Sequence, residues 1–430
     1  MKKFYRKISF SPDLKKLLEN FFSLSLLQGS IYVLQIITFP YLVRVLGPEK
    51  FGLIVFAQVF VQYFNLITDY GFNFTATRSV SVHRENREKV SEIFSSVMLI
   101  KLGIFLLTLW VLFIILITFE KFRAEWMLYV FAFGMVLGNV LFPIWFFQGM
   151  EKMKYITVLN LIARFIFTAS IFILIKNPSH YVYVLLLNSL GFLVAGVLSL
   201  WIVIKHFNVK IHFPGKQQLL YHLKEGWYIF LSSIGVNIYK TSDIFILGLF
   251  SSEIMVGYYS IAKKLIDVAN QFAVIVSQTI YPHISLKIRQ SYYLTVSFLR
   301  RTEIFILLFA TFIGITFLLF PEFFIKIVSG EVFHESVVSL RLLAIVPLII
   351  GLNVPAVQIL LAANIDREYS RLIVSGALLM LVSNLILIPQ FQFKGAAISV
   401  IIVETFITLS VYFVVRRNFN RIKSLSTLDK

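Results

Sequence analysis

LGIFLLTLWVLFIILITF, Leu102–Phe119, contains no charged residue. At about 1.5 Å rise per residue, eighteen helical residues reach about 27 Å, close to the roughly 30 Å hydrocarbon core of a bilayer. This stretch reads as a membrane-spanning helix, and it has company. Uncharged runs also cover Asn20–Val43, Phe51–Thr68, Trp126–Met150, Tyr181–Ile204, Ile304–Pro321, Leu342–Ile365 and Leu372–Phe393. Four further segments are as apolar apart from isolated charges: Tyr155–Ile175 with Arg164, Gly226–Ser252 with Lys240 and Asp243, Ile254–Pro282 with Lys263, Lys264 and Asp267, and Gly395–Val415 with Glu404. The expectation is an all-α integral membrane protein with twelve transmembrane helices. The 430 residues then leave no room for a sizeable extramembrane domain.

Composition agrees. The chain is 58% hydrophobic, 16% aromatic and only 14% charged, with a mean hydropathy of +0.83. Soluble domains lie nearer 45–50% apolar and about 25% charged. A soluble enzyme, a disordered chain and a disulfide scaffold are excluded, and there is no cysteine for thiolate chemistry. The formal charge of +18 invites a nucleic-acid reading. The distribution of that charge points instead to cytoplasmic loops. With both termini inside, 27 basic residues fall on the cytoplasmic side and 7 outside. A span miscounted midway would swap the sides of every later loop and destroy this asymmetry. The uncharged run from Asn20 is longer than a signal-peptide core and is followed by no small-residue cleavage site, so it reads as a retained first span.

The longest connection, 206–225, lies inside and divides the spans six and six. The expected organisation is a cytoplasmic N-terminal segment 1–19, a six-helix bundle 20–205, a linker 206–225, a second bundle 226–416 and a cytoplasmic tail 417–430. A weak internal echo accompanies this division: Leu46-Gly47 followed by Gly52-x3-Phe56-Ala57, and Leu247-Gly248 followed by Gly257-x3-Ile261-Ala262. Leu-Gly pairs and small-residue patterns are frequent in spans, which is the plainer explanation.

Charges inside spans are expensive and mark cavities or mutual pairs. Residues at equal depth on a 7–8 hairpin turning near Ser252 have numbers summing to about 507. Lys240 is thereby expected opposite Asp267, and Asp243 opposite Lys264. Lys263 points about 100° away from Lys264 and is the better candidate to face a lumen. The plainer reading is an ion-pair cluster joining two helices. Arg164 lies near mid-depth with no acid in its own helix, and its planar donor fork suits a phosphate. Lys101 is shallower and is expected to snorkel to the cytoplasmic interface, with substrate contact as its functional alternative. Arg78 and Lys240 complete the basic substrate-binding candidates. Asp69, with Lys101 or Arg164 as partner, Asp243, Lys264 and Asp267 are ion-pair or coupling candidates, and Glu404, a deep lone acid, is either a site for proton coupling or a hydrogen-bonded core acid. Pro347, Gly351 and Pro355 are hinge candidates, because proline frees carbonyls and bends a span.

No GxxxxGK phosphate loop, HExxH motif or paired metal-ligand spacing occurs, so no catalytic residue, cofactor or metal is assigned. All seven His lie in or near loops. The short external loops leave no place for the chemistry of a membrane-embedded polysaccharide polymerase. A carrier is the better reading.

Several stretches carry a family resemblance: YLVRVLGPEKFG at Tyr41–Gly52, DYGFN and ATR within Asp69–Arg78, WFFQGMEKM at Trp145–Met153, LG and VGYYSIAKKL within Leu247–Leu265, YPHIS at Tyr281–Ser285 and FKGAAIS at Phe393–Ser399. With them the chain resembles the Wzx-type O-antigen and polysaccharide flippases of the MOP exporter superfamily. The resemblance implies a V-shaped pair of six-helix bundles in the bacterial inner membrane. It implies a substrate, an undecaprenyl-diphosphate-linked oligosaccharide, flipped to the outer leaflet. From the residues themselves, alternating access is expected through a central cavity made cationic by Arg164, Lys240 and Lys263. It also implies a polysaccharide polymerase and a chain-length regulator as neighbours. Twelve spans depart from the fourteen usual among lipid II flippases, which argues against a peptidoglycan precursor. The competing transport reading is a cation-coupled multidrug exporter of the MATE branch. That branch needs a negative cavity, whereas the deep charges here lean basic.

Overall fold

The structure, a computed structural model, describes residues 12–424. The calls on the extreme N-terminal segment and the last six residues of the tail lie outside them. Among the described residues the chain is helical throughout, without strands, and nine helices are long and apolar enough to cross a membrane. One of these stretches, Val33–His83, has 51 residues, about 77 Å of helix at 1.5 Å per residue, enough for the two expected first spans. Its break falls at Gly47, whose φ of 73° and ψ of 168° form a conformation open only to glycine, and Pro48 follows. The helices Lys216–Phe250 and Glu253–Gln290 match the expected seventh and eighth spans and carry the clustered charges.

The chain separates into two compact units. The first comprises the described chain up to Phe39 and Val61–Leu231; the second comprises Pro40–Phe60 and Ser232 onward. The motif at Tyr41–Gly52 therefore packs within the second unit. Arg44 donates to the carbonyls of Ile327 and Val328 at the end of the helix Pro321–Ser329. Two glycines of the internal echo, Gly52 and Gly257, meet within the same unit. A Cβ on Gly52 would collide with the carbonyl of Glu253 and the backbone of Gly257, and a Cβ on Gly257 would collide with the carbonyl of Pro48. Only backbone fits at this crossing, the small-residue packing that membrane helices favour.

Gly257→Ala should therefore destabilise the protein by about 1–3 kcal/mol, the usual range for overpacking. Gly103→Ala, where nothing lies within 4 Å, should be neutral or stabilising. Thermal unfolding of both variants in one detergent checks the contrast.

In the first unit, Trp145, Phe146, Phe147 and Phe94 form an aromatic core with Phe207 against its edge. The break between the helices Trp126–Leu141 and Ile144–Gly149 falls at Pro143, as its missing N–H requires. In the second unit, Pro347 sits in the first turn of Val346–Ala362, and the discontinuity lies at Ala344–Ile345, before the proline. The helix runs on through Gly351 and Pro355. Gly351 is a packing position, where a Cβ would come within 3.1 Å of Ile306.

Candidate functional site

Within the first unit, the DYGFN motif makes a joint. Helix Pro12–Asp69 ends at Tyr70 and Gly71, whose φ values of 47° and 81° turn the chain before Phe72–His83. Gly71 has no room for a side chain against Ile229. Tyr70 stacks on Phe230 with ring centroids 4.8 Å apart. Asp69 accepts from Asn73 and pairs with Lys101 Nζ at 3.1 Å. Lys101 does not snorkel: its side chain is 3% exposed, held inside by that carboxylate. Of the two partners expected for Asp69, Lys101 is the one found. Arg78 is largely exposed and pairs with Glu225.

Arg164, on Met153–Leu174, is half-buried. Gly191 lets the helix Tyr181–Lys205 approach the Ala163 carbonyl. The Arg164 guanidinium then lies over Phe192, 5.7 Å from the ring centre. Its Nε is buried without a hydrogen-bond partner, and the residue is not ion-paired among the described residues. A cation left this way inside a span is available to an anion.

In the second unit the expected pairing is corrected. Asp243, wholly buried, accepts from Lys263 Nζ, from Tyr259 Oη at 2.7 Å and from the Ile244 N–H at 2.9 Å. Lys263 also donates to the Lys240 carbonyl at 3.1 Å. Its side chain is 15% exposed, so it is no lumen-facing cation. The depth register was right to within one residue. The rotation was not: one residue turns a helix by 100°, and the structure selects Lys263 over Lys264 to meet Asp243. Lys240 and Asp267, expected to pair, are both exposed and not ion-paired among the described residues. Glu404 is buried and accepts from the Tyr239 hydroxyl. Asn384 donates to Ser242 at 3.1 Å and Gln358 to Ser277 at 2.5 Å. These buried amide contacts were not anticipated; no charge or periodicity in the sequence marks them.

Outside the spans, burial lowers the His222 pKa, partly opposed by Glu225 and Glu92. A neutral His in the fold and a freer one in the unfolded chain make the latter bind more protons in acid. His222 should thus contribute stability above its ordinary value of about 6.5 and lose it as pH falls through that value. His222→Gln should flatten this limb of the stability profile in thermal unfolding between neutral and mildly acidic pH.

No group of three or more potential metal ligands is found among the described residues. Solved structures similar to this chain include the lipid II flippase MurJ in an inward closed conformation, with a TM-score of 0.69 at 15% identity over 94% of this chain and 90% of that one. An inward-facing MATE-family multidrug transporter of the MOP superfamily gives 0.65 at 12% identity over 92% and 96%. At such identities the likeness is one of fold. A protein of Escherichia coli K12 described as an O-antigen transporter is 30% identical over 405 residues, covering 93% of this chain and 96% of that protein. A Haloferax volcanii protein described as a low-salt glycan biosynthesis flippase is 24% identical, covering 85% and 76%. The polysaccharide biosynthesis protein family matches residues 17–286. By that match and by its similarity to the Escherichia coli protein along nearly its whole length, this chain belongs to the polysaccharide biosynthesis protein family, on the MOP transporter fold.

Proposed function

We propose that the chain is a flippase for a lipid-linked glycan, specifically an undecaprenyl-diphosphate-linked oligosaccharide repeat unit destined for O-antigen or another surface polysaccharide. The observation that carries the reading is Arg164, a half-buried mid-span cation with no acid to neutralise it among the described residues. Lys240 is exposed and not ion-paired among the described residues, a second uncompensated cation. A diphosphate carries the complementary charge. Relatives described as an O-antigen transporter and a glycan biosynthesis flippase support this substrate class.

The protein acts as a transporter and not as a catalyst. Twelve spans, both termini in the cytoplasm, a bacterial inner-membrane location and alternating access complete the proposal. A polymerase and a chain-length regulator are its proposed neighbours, consuming the flipped unit outside. Asp69, Asp267 and Glu404 are the proposed groups for any ion or proton coupling.

Deleting the protein in its native host should abolish surface polymer and accumulate lipid-linked repeat units on the inner leaflet. Extraction of the lipid intermediates with an outer-leaflet accessibility assay reads both effects. Normal polymer with new sensitivity to cationic drugs would overturn the reading in favour of a multidrug exporter.

A further inference from the structure

The linker between the two sets of spans is tied down rather than free. The Lys210 N–H donates to Ser91 Oγ at 3.1 Å and the His212 N–H to Ser95 Oγ at 2.9 Å, both serines on the helix Arg87–Thr118. The match is geometric: four residues of helix rise about 6 Å and two residues of extended chain about 6.6 Å, so alternate linker amides meet serines four apart. Each residue along the linker therefore lies closer to the membrane than the one before. Ser95 precedes Leu102, where the uncharged run begins, by seven residues, about 10 Å of helix. One more extended residue brings Phe213 to about 7 Å from the hydrocarbon edge, within the headgroup layer about 5–8 Å thick on each side.

The side chains at this depth suit that layer. Val209 is buried, Ile211 is 69% exposed and Phe213 is 97% exposed. Lys205, Lys210 and Lys216 flank them on the same stretch and are exposed. Phe213 and Lys210 share the rim of a cytoplasmic cavity with Arg87 and Glu88. Apolar side chains held at headgroup depth among lysines form the pattern of an interfacial anchor.

We propose that the linker segment 209–213 is a strap bound to the cytoplasmic leaflet, with Ile211 and Phe213 inserted among phospholipid headgroups and Lys210 at their phosphates. The serines of the Arg87–Thr118 helix set the depth, and the lipid covers the apolar side chains. The strap also holds the start of the helix Lys216–Phe250, two residues beyond Pro214, at the level of the membrane surface.

The absence of cysteine makes the test direct. Phe213→Cys, labelled with an environment-sensitive fluorophore, is reconstituted as the full chain in vesicles of phosphatidylethanolamine and phosphatidylglycerol. Glu85→Cys, on an exposed cytoplasmic turn, serves as the aqueous reference. The label at 213 should be blue-shifted and strongly quenched by lipids nitroxide-labelled near the headgroup, reflecting a preference on the order of tenfold for the apolar phase. Adding Lys210→Glu should weaken that occupancy about fivefold in anionic vesicles and less in neutral ones. Ile211→Cys gives a second reporter if the 213 variant reconstitutes poorly. A label at 213 indistinguishable from the one at 85 overturns the proposal. So does a label shielded from water yet unquenched by lipid nitroxides, which would place protein rather than lipid over the strap.

Discussion

Arg164→Gln should abolish surface polysaccharide in a complemented deletion strain, with flipping reduced at least about 100-fold, while the protein remains inserted at normal levels. Glutamine keeps much of the volume and some donors but removes the charge. The guanidinium has no carboxylate to leave behind among the described residues, so the substitution creates no orphaned acid. Its contact with Phe192 contributes only about 0.5–2 kcal/mol, so folding survives. A charge-assisted bidentate contact to phosphate is worth about 1.5–3 kcal/mol at each hydrogen bond, and two such bonds lost together account for the 100-fold. Arg164→Lys should restore part of the activity, since it returns the charge without the planar fork. Polymer ladders from membranes matched for protein content make the measurement. Normal ladders from Arg164→Gln would show that the headgroup is bound elsewhere.

Lys263→Met should have the largest effect on stability. It leaves Asp243 wholly buried with two neutral donors, Tyr259 and the Ile244 N–H, in place of a cation. Breaking a buried pair from one side costs about 3–5 kcal/mol. The double variant Asp243→Asn with Lys263→Met removes the uncompensated charge and should recover most of that loss. Lys264→Met, one residue along, should be much milder, because it leaves the Asp243 cluster intact. Thermal unfolding of the four proteins in detergent tests the ordering. Equal losses from Lys263→Met and Lys264→Met would contradict the pairing described above. Lys240→Met should leave stability almost unchanged, since its side chain is exposed and not ion-paired among the described residues, and should lower transport if the cation serves the substrate.

The two lysines, one residue apart, show where sequence reasoning stops. Counting along a hairpin places residues by depth, and depth depends only on the fixed rise of the helix. It brought Asp243 opposite 263–264, and the same logic separated the spans and placed Arg164 deep with no acid on its own helix. The rotation of each helix about its axis has no such ruler in this chain, because spans apolar on every side give no strong face. Rotation is decided by packing, at contacts such as Gly52 on Gly257 or Gly191 on Ala163, where the absence of a Cβ lets one backbone lie against another. Lys101 makes the same point: its number placed it near the interface, but only the fold sets the end of the helix Pro12–Asp69 beside it, with the Asp69 carboxylate 3.1 Å away to hold it inside. The sequence by itself determined that this is a helical membrane protein, where its charges lie in depth and which family it resembles. The tertiary structure alone decided which charges neutralise one another and which remain open to a ligand, because that choice depends on helix rotation and close approach, neither of which hydropathy encodes.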